Sequence, residues 1–165
     1  MFYVQQPTGT KEAQYTSMSK QLKSLLEDER DWLANLSNTA SFLAHMLHEI
    51  NWVGFYLMKQ NELVLGPFMG KPACVRIAVG KGVCGTAVAE QRTQVVEDVH
   101  QFPGHIACDA DSRSEIVIPL IVNDKVIGVL DIDSPVLRRF EALDKEYLEQ
   151  LAAILIESTD WEPIL

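Results

Sequence analysis

Basic charge is scarce in this sequence: 14 Lys and Arg stand against 23 Asp and Glu, a net charge of -9. Phosphate-rich partners are held by Lys and Arg, so neither nucleic acid nor an anionic membrane surface is an expected partner. Long apolar runs are also missing. None approaches the roughly 20 residues that span a bilayer. The opening stretch MFYVQQPTGTKEAQ has no basic segment followed by an apolar one, so the expected location is the cytoplasm. Cysteine is sparse and odd in number, with three residues. This argues against a structural disulfide framework and for thiols kept reduced at least part of the time. No internal repeat or low-complexity tract is present, and 165 residues suit one continuous core better than two small ones.

Apolar residues fall at helical spacing from Lys11 to Leu26 and again from Asp31 to Ile50, where Leu36, Ala40, Leu43 and Leu47 form the repeat. Short β-like runs follow: Trp52 to Met58, Glu62 to Met69 and Cys74 to Val79. The Lys59-Gln60-Asn61 break suits a hairpin between the first two. Val83 to Glu90 reads as a short helix and Gln94 to Val96 as a strand, while residues 97–114 show no sustained periodicity. An irregular stretch of that length in a small domain is usually functional. Glu115 to Val122 and Lys125 to Asp133 form a second hairpin about Asn123-Asp124, with Pro119 requiring an edge or a bulge. A last helix carries Phe140, Leu143, Tyr147, Leu151 and Leu155 as its apolar stripe. The order is that of an α+β domain with a largely antiparallel sheet covered by helices.

Four sets of residues carry chemistry. Gly80-Lys81-Gly82-Val83-Cys84-Gly85 fits a dinucleotide-binding GxGxxG, but the flanking strands read as hairpins and not as parallel βαβ units. The same turn could instead offer helix amides to an anion. Cys74, Cys84 and Cys108 with His100 and His105 offer metal donors, yet the spacing C-x9-C-x23-C lacks a close ligand pair. Buried, inert thiols are the plain alternative for Cys74 and Cys84; the polar neighbours of Cys108 argue against it there. Glu115, Asp131 and Asp133 converge at one end of the second hairpin. They are either solvated strand ends or a cluster in which each carboxyl raises the others' pKa and keeps a proton to donate. Negative charge disfavours a nearby thiolate, which a sulfoxide substrate would ease because its oxygen must be protonated. His100 and His105 could offset the acidic field. Trp52 and Tyr56, four apart on a strand, share a face and either fill the core or line a pocket for a methyl thioether.

WVGFY (52–56), LGPFMGKPAC (65–74), GKGVCGTAV (80–88), residues 97–120 and GVLDIDS (128–134) together resemble the free methionine-(R)-sulfoxide reductases, which are stand-alone GAF domains. The likeness runs from about Asp31 to Thr159. It implies a GAF-like six-stranded sheet flanked by helices over residues 31–160. The helical segment 1–30 is less similar, and its spare helix could serve in a homodimer. It further implies Cys108 as the nucleophile that becomes a sulfenic acid, Cys74 as the resolving thiol and Cys84 as a third thiol in disulfide exchange. Thioredoxin would be the reductant, with no bound cofactor or metal. Glu115, Asp131 and Asp133 would orient and protonate the sulfoxide, and Trp52 and Tyr56 would receive the methyl end. A GAF domain that only senses a ligand or redox state is the competing reading. Against it, Asn123-Asp124-Lys125 and Asp144-Lys145 depart from the cyclic-nucleotide GAF pattern.

Overall fold

A computed structural model describes residues 2–106 and 108–165. Helix α1 spans Lys11–Leu26 and begins where the Thr10 side chain accepts a hydrogen bond from the amide of Ala13. Helix α2 spans Trp32–Met46 and is capped in the same way by Asp31 on Ala34. It ends four residues before the expected Ile50. Leu47 turns extended and Glu49 takes a φ of 56°, which swings the chain into the sheet. Strands β1 (Trp52–Lys59) and β2 (Glu62–Met69) form the first hairpin, and β3 (Arg76–Ala78) is shorter than expected. Helix α3 (Gly82–Glu90), β4 (Gln94–Val96), β5 (Ser114–Val122), β6 (Lys125–Ser134) and α4 (Ala142–Ser158) complete the domain.

Among the described residues the sheet has six strands in the order β3-β2-β1-β6-β5-β4, every neighbouring pair antiparallel. A parallel βαβ unit is therefore absent around the glycine-rich turn. Its glycines serve the backbone: Gly82 has a φ of +59°, and a Cβ on Gly85 would meet the Ala78 carbonyl oxygen at 2.4 Å. Pro119 pairs with Val129 of β6, whereas β4 covers only Glu115 to Val117. The proline thus lies where β5 has become the open edge, and its missing N–H costs no ladder bond.

Alternation along the central strands builds two cores. Val53, Phe55 and Leu57 of β1 with Ile116, Ile118, Leu120, Leu130 and Ile132 face α1, α2 and α4. Trp52, Tyr56, Val117 and Val129 face the other way, toward α3 and the irregular segments. The buried face of α4 is Asp144, Leu148, Leu151, Ala152, Ile154 and Leu155. Of the stripe read from sequence, Phe140, Leu151 and Leu155 are in the core, although Phe140 precedes the helix, while Leu143 and Tyr147 are only half-buried. Tyr15, Met18, Leu22 and Leu26 of α1 belong to the same core, each buried leucine contributing about 2 kcal/mol relative to exposure. The apolar face of α1 is occupied within its own chain, which removes the unpartnered helix as a reason to expect a dimer. Among the described residues no helix is long and apolar enough to cross a membrane.

Asp144 fastens α1 to α4. Its fully buried carboxyl accepts from the Tyr15 hydroxyl at 2.6 Å, Lys11 Nζ at 2.6 Å, Arg139 Nη1 at 3.3 Å and the Glu141 amide at 2.8 Å. Burial alone would raise its pKa, but these donors prevail and hold it below the usual aspartate value. Asp144→Ala should destabilise the fold by about 3 kcal/mol, because it strands buried donors and the Arg139 charge. The contribution is present above the ordinary aspartate value of 3.8 and lost as pH falls through the lower folded value. Chemical denaturation at pH 7 and pH 3 checks this: the gap between variant and parent should shrink at pH 3.

Candidate active site

One end of the second face brings together Trp52, Tyr56, Cys84, His105, Cys108, Glu115, Asp131 and Asp133. In the register of the central strands, Trp52 pairs with Asp133 and Asp133 with Glu115, so the three stand in a row across β1, β6 and β5. One step along, Gly54, Asp131 and Val117 form the next row, followed by Tyr56, Val129 and Pro119. Asp131 and Asp133 are two apart on β6, which sends both to this face. The pocket above them is walled by α3 through Val83 and Cys84, by residues 71–73 and by the segment carrying His105, Ile106, Cys108, Asp109 and Ser112.

Glycine decides how the aromatic wall fits. A Cβ at Gly54 would lie 2.3 Å from Phe68 Cβ and 2.8 Å from Trp52 Cη2, and one at Gly70 would lie 2.5 Å from Trp52 Cδ1. The indole packs between these two backbones, stacks on Phe68 and Tyr56 with ring centroids 5.2 and 5.9 Å away, and donates Nε1–H to the Lys71 carbonyl at 3.1 Å. Tyr56 donates its hydroxyl to the Cys74 carbonyl at 2.9 Å. Both aromatics are nearly inaccessible yet border the pocket, so they serve core and site together.

Cys74 and Cys108 are joined in a disulfide across 34 residues, with their Cα atoms 5.5 Å apart. Two segments with no regular structure thus meet above the acid row. Cys84 is a free, buried thiol at the start of α3. Its Sγ and carboxyl oxygens of Glu115 and Asp131 all lie within 4.8 Å of one another. That trio could hold a metal ion, and it differs from the donors considered from the sequence: the disulfide takes Cys74 and Cys108, while His100 is exposed on a short 3-10 turn.

Burial sets the protonation of this cluster. Glu115 is 6% exposed and Asp131 5%. Desolvation, reinforced by the charges of Asp131 and Asp133, pushes Glu115 well above the usual carboxylate range. Asp133 rises for the same reason, with Asp131 and Asp109 adding to burial. Asp131 is raised by burial too, but hydrogen-bonding approaches from Glu115 and Cys84 pull it back. All three acids are thus held above their ordinary values, which makes the cluster a source of protons. Cys84 is pushed up by burial and then by the three acids, so it holds its proton. A cluster whose acids are all raised carries less charge than its composition suggests and opposes a thiolate at Cys108 less. His105 borders the pocket, but burial and the nearby His100 lower its pKa, so it is neutral and offsets no negative charge. The positive groups at the rim are Lys71 and Lys81, which the sequence reading passed over.

Residues 34–155 match the family model described as GAF domain. Over 151 residues the chain is 53% identical to the free methionine-R-sulfoxide reductase of Escherichia coli, covering 90% of this chain and 92% of that protein. A solved structure of free methionine-R-sulfoxide reductase from Neisseria meningitidis in complex with its substrate superposes with a TM-score of 0.92 at 47% identity, covering 96% of this chain and 95% of that one. The reduced form of fRMsr from Staphylococcus aureus superposes at 0.87 with 57% identity, covering 94% and 99%. The chain belongs to the GAF domain family and, within it, to the free methionine-R-sulfoxide reductases.

Acids whose folded pKa is raised stabilise the fold only below their ordinary value and lose that contribution as pH rises through the folded one. Glu115→Gln and Asp133→Asn should therefore each raise stability at pH 7 by about 0.5–2 kcal/mol while impairing turnover. The gain should vanish near pH 3, below the ordinary values of 4.5 and 3.8, where the parent carboxyls are largely protonated in both states. Thermal melts of the two variants at both pH values check this.

Proposed function

We propose that this pocket reduces free methionine-(R)-sulfoxide to methionine through Cys108, with the buried carboxyls as the source of the proton. The Cys74–Cys108 disulfide over the acid row is the observation that carries the reading. It is the oxidised product that such a cycle leaves behind.

The Cys108 thiol attacks the sulfoxide sulfur while Glu115 or Asp133 protonates the oxygen. The oxygen passes to Cys108, which becomes a sulfenic acid, and the thioether of methionine leaves with the electron pair. Cys74 then attacks the sulfenic sulfur, water departs, and the disulfide forms in preference to further oxidation. Thioredoxin is the reductant that restores both thiols, and no resident cofactor is needed, because all the electrons pass through sulfur. Asp131 supports substrate orientation: its Oδ1 is buried and has no protein partner, an acceptor waiting for a donor. Trp52 and Tyr56 take the S-methyl end. Cys84, buried and protonated, is better suited to donating toward Asp131 than to exchanging disulfides. A reductant of this kind fits the cytoplasm.

Cys108→Ser should lose turnover by at least about a thousandfold, as expected for removal of a covalent nucleophile. Cys74→Ser should convert one equivalent of sulfoxide per chain and then stall, with a trappable sulfenic acid on Cys108. Quenched-flow product counting with mass spectrometry checks both, and sustained turnover by Cys108→Ser would contradict the mechanism.

A further inference from the structure

The segment that carries Cys108 is irregular, so something other than a helix or strand must hold the thiol over the acids once the disulfide is open. The contacts that could do so converge on Asn51, the residue between α2 and β1. Its amide N–H donates to the Asp133 carbonyl at 2.9 Å, fixing Asn51 to the end of the acid-bearing strand. Its side-chain Nδ2 donates to Asp109 Oδ2 and to Ser112 Oγ, both at 3.0 Å. Asp109 is the neighbour of Cys108 in sequence, and its side chain is only 9% exposed. The other oxygen of Asp109 accepts from the Asp111 amide at 2.9 Å, and the Ser112 amide donates to the Asp109 carbonyl at 3.3 Å. The turn after Cys108 is thus closed on itself and tied to the strand that carries Asp133 through the Asn51 side chain and, further from Cys108, through the Arg113 amide, which donates to the Ser134 carbonyl at 2.7 Å. A second tie at the rim runs from Lys71 to Asp111, with Asp109 at 4.0 Å. It is open to solvent, where such pairs contribute little.

We propose that Asn51 is a positioning residue for the reaction: its side chain, through Asp109 and Ser112, holds Cys108 within reach of both Asp133 and Cys74 in the reduced enzyme. The inference rests on the reading of Cys108 as the attacking thiol, and it adds a residue outside the pocket wall. None of these hydrogen bonds uses an atom of Cys74 or Cys108. A donor aimed at a nearly buried carboxylate is among the stronger hydrogen bonds, and losing it frees the turn. A freed turn lowers the effective concentration of Cys108 toward Cys74, because a pre-placed pair closes without first being ordered.

The same geometry supplies a reversal. Asn51→Asp replaces the donor by a carboxylate facing Asp109. Adding Asp109→Asn restores a donor-acceptor pair in the opposite sense, while the new amide keeps an oxygen for the Asp111 N–H. The experiment measures the Cys74–Cys108 disulfide-dithiol equilibrium of the full chain in mixtures of reduced and oxidised dithiothreitol, beside sulfoxide turnover. Asn51→Asp should shift the equilibrium toward the dithiol by about tenfold and lower kcat in parallel, the worth of one charge-assisted hydrogen bond. The double variant should recover to within about threefold of the parent in both. Should the single aspartate variant fail to fold, Asn51→Ala, which adds no charge, must show the same shift. An equilibrium that moves less than about twofold in the folded single variant, or a double variant no better than the single, overturns the proposal. The thiol equilibrium needs no sulfoxide. A parent with a normal equilibrium but no sulfoxide turnover would defeat the assigned reaction and leave the positioning result to be read by itself.

Discussion

Setting three carboxyl groups side by side, two of them buried and Asp133 half-buried, is unfavourable, and the rest of the site depends on that one constraint. Water would keep Glu115, Asp131 and Asp133 ionised, but the antiparallel register of β1, β6 and β5 removes it and sets the acids at neighbouring positions. All three then hold a proton more tightly than ordinary carboxyls do. A sulfoxide oxygen is a poor leaving group until it is protonated, so an otherwise destabilising cluster supplies what this substrate class requires. The cost falls on a sheet whose opposite face is covered by three helices and a continuous apolar core.

The fold separates stability from chemistry by the two-residue period of its strands. Residues 53, 55 and 57 of β1 face the helical core, while Trp52 and Tyr56 face the pocket; on β6, Leu130 and Ile132 face the core, while Asp131 and Asp133 face the thiols. Because the acids sit on central strands, their spacing is rigid. The thiols are carried instead by short, irregular segments on which Cys74 and Cys108 can meet. Trp52 links the halves: it pairs with Asp133 in the sheet, and its indole donates to the carbonyl of Lys71, close to Cys74.

Strand alternation made much of this legible in the sequence. It gave the faces of Trp52, Tyr56, Asp131 and Asp133, and the Asn123-Asp124 turn set Glu115 opposite Asp133. Element ends were less legible, because α2 stops at Met46 for the sake of a positive-φ turn at Glu49 that no apolar repeat announces. The stripe of α4 was misread over its first turns because Asp144, a charged residue, is as buried as Leu148 and Leu155, stabilised by donors from α1 and the chain before α4. The meeting of Cys74 with Cys108 came from family resemblance and not from spacing. Asn51 was passed over because a single amide between two elements carries no pattern; only the three-dimensional placement of Asp109 and Ser112 gives it a role.

The central claim is that a small, acid-lined pocket presents a free amino-acid sulfoxide to Cys108. It is tested most directly by NADPH consumption coupled through thioredoxin reductase and thioredoxin, with free methionine R-sulfoxide run beside the free S epimer and a peptide-bound R-sulfoxide. The account predicts sustained consumption with the free R epimer and little with either of the others. Equal rates with the peptide-bound substrate, or no consumption with any of the three while the Cys74–Cys108 disulfide still cycles, would contradict it.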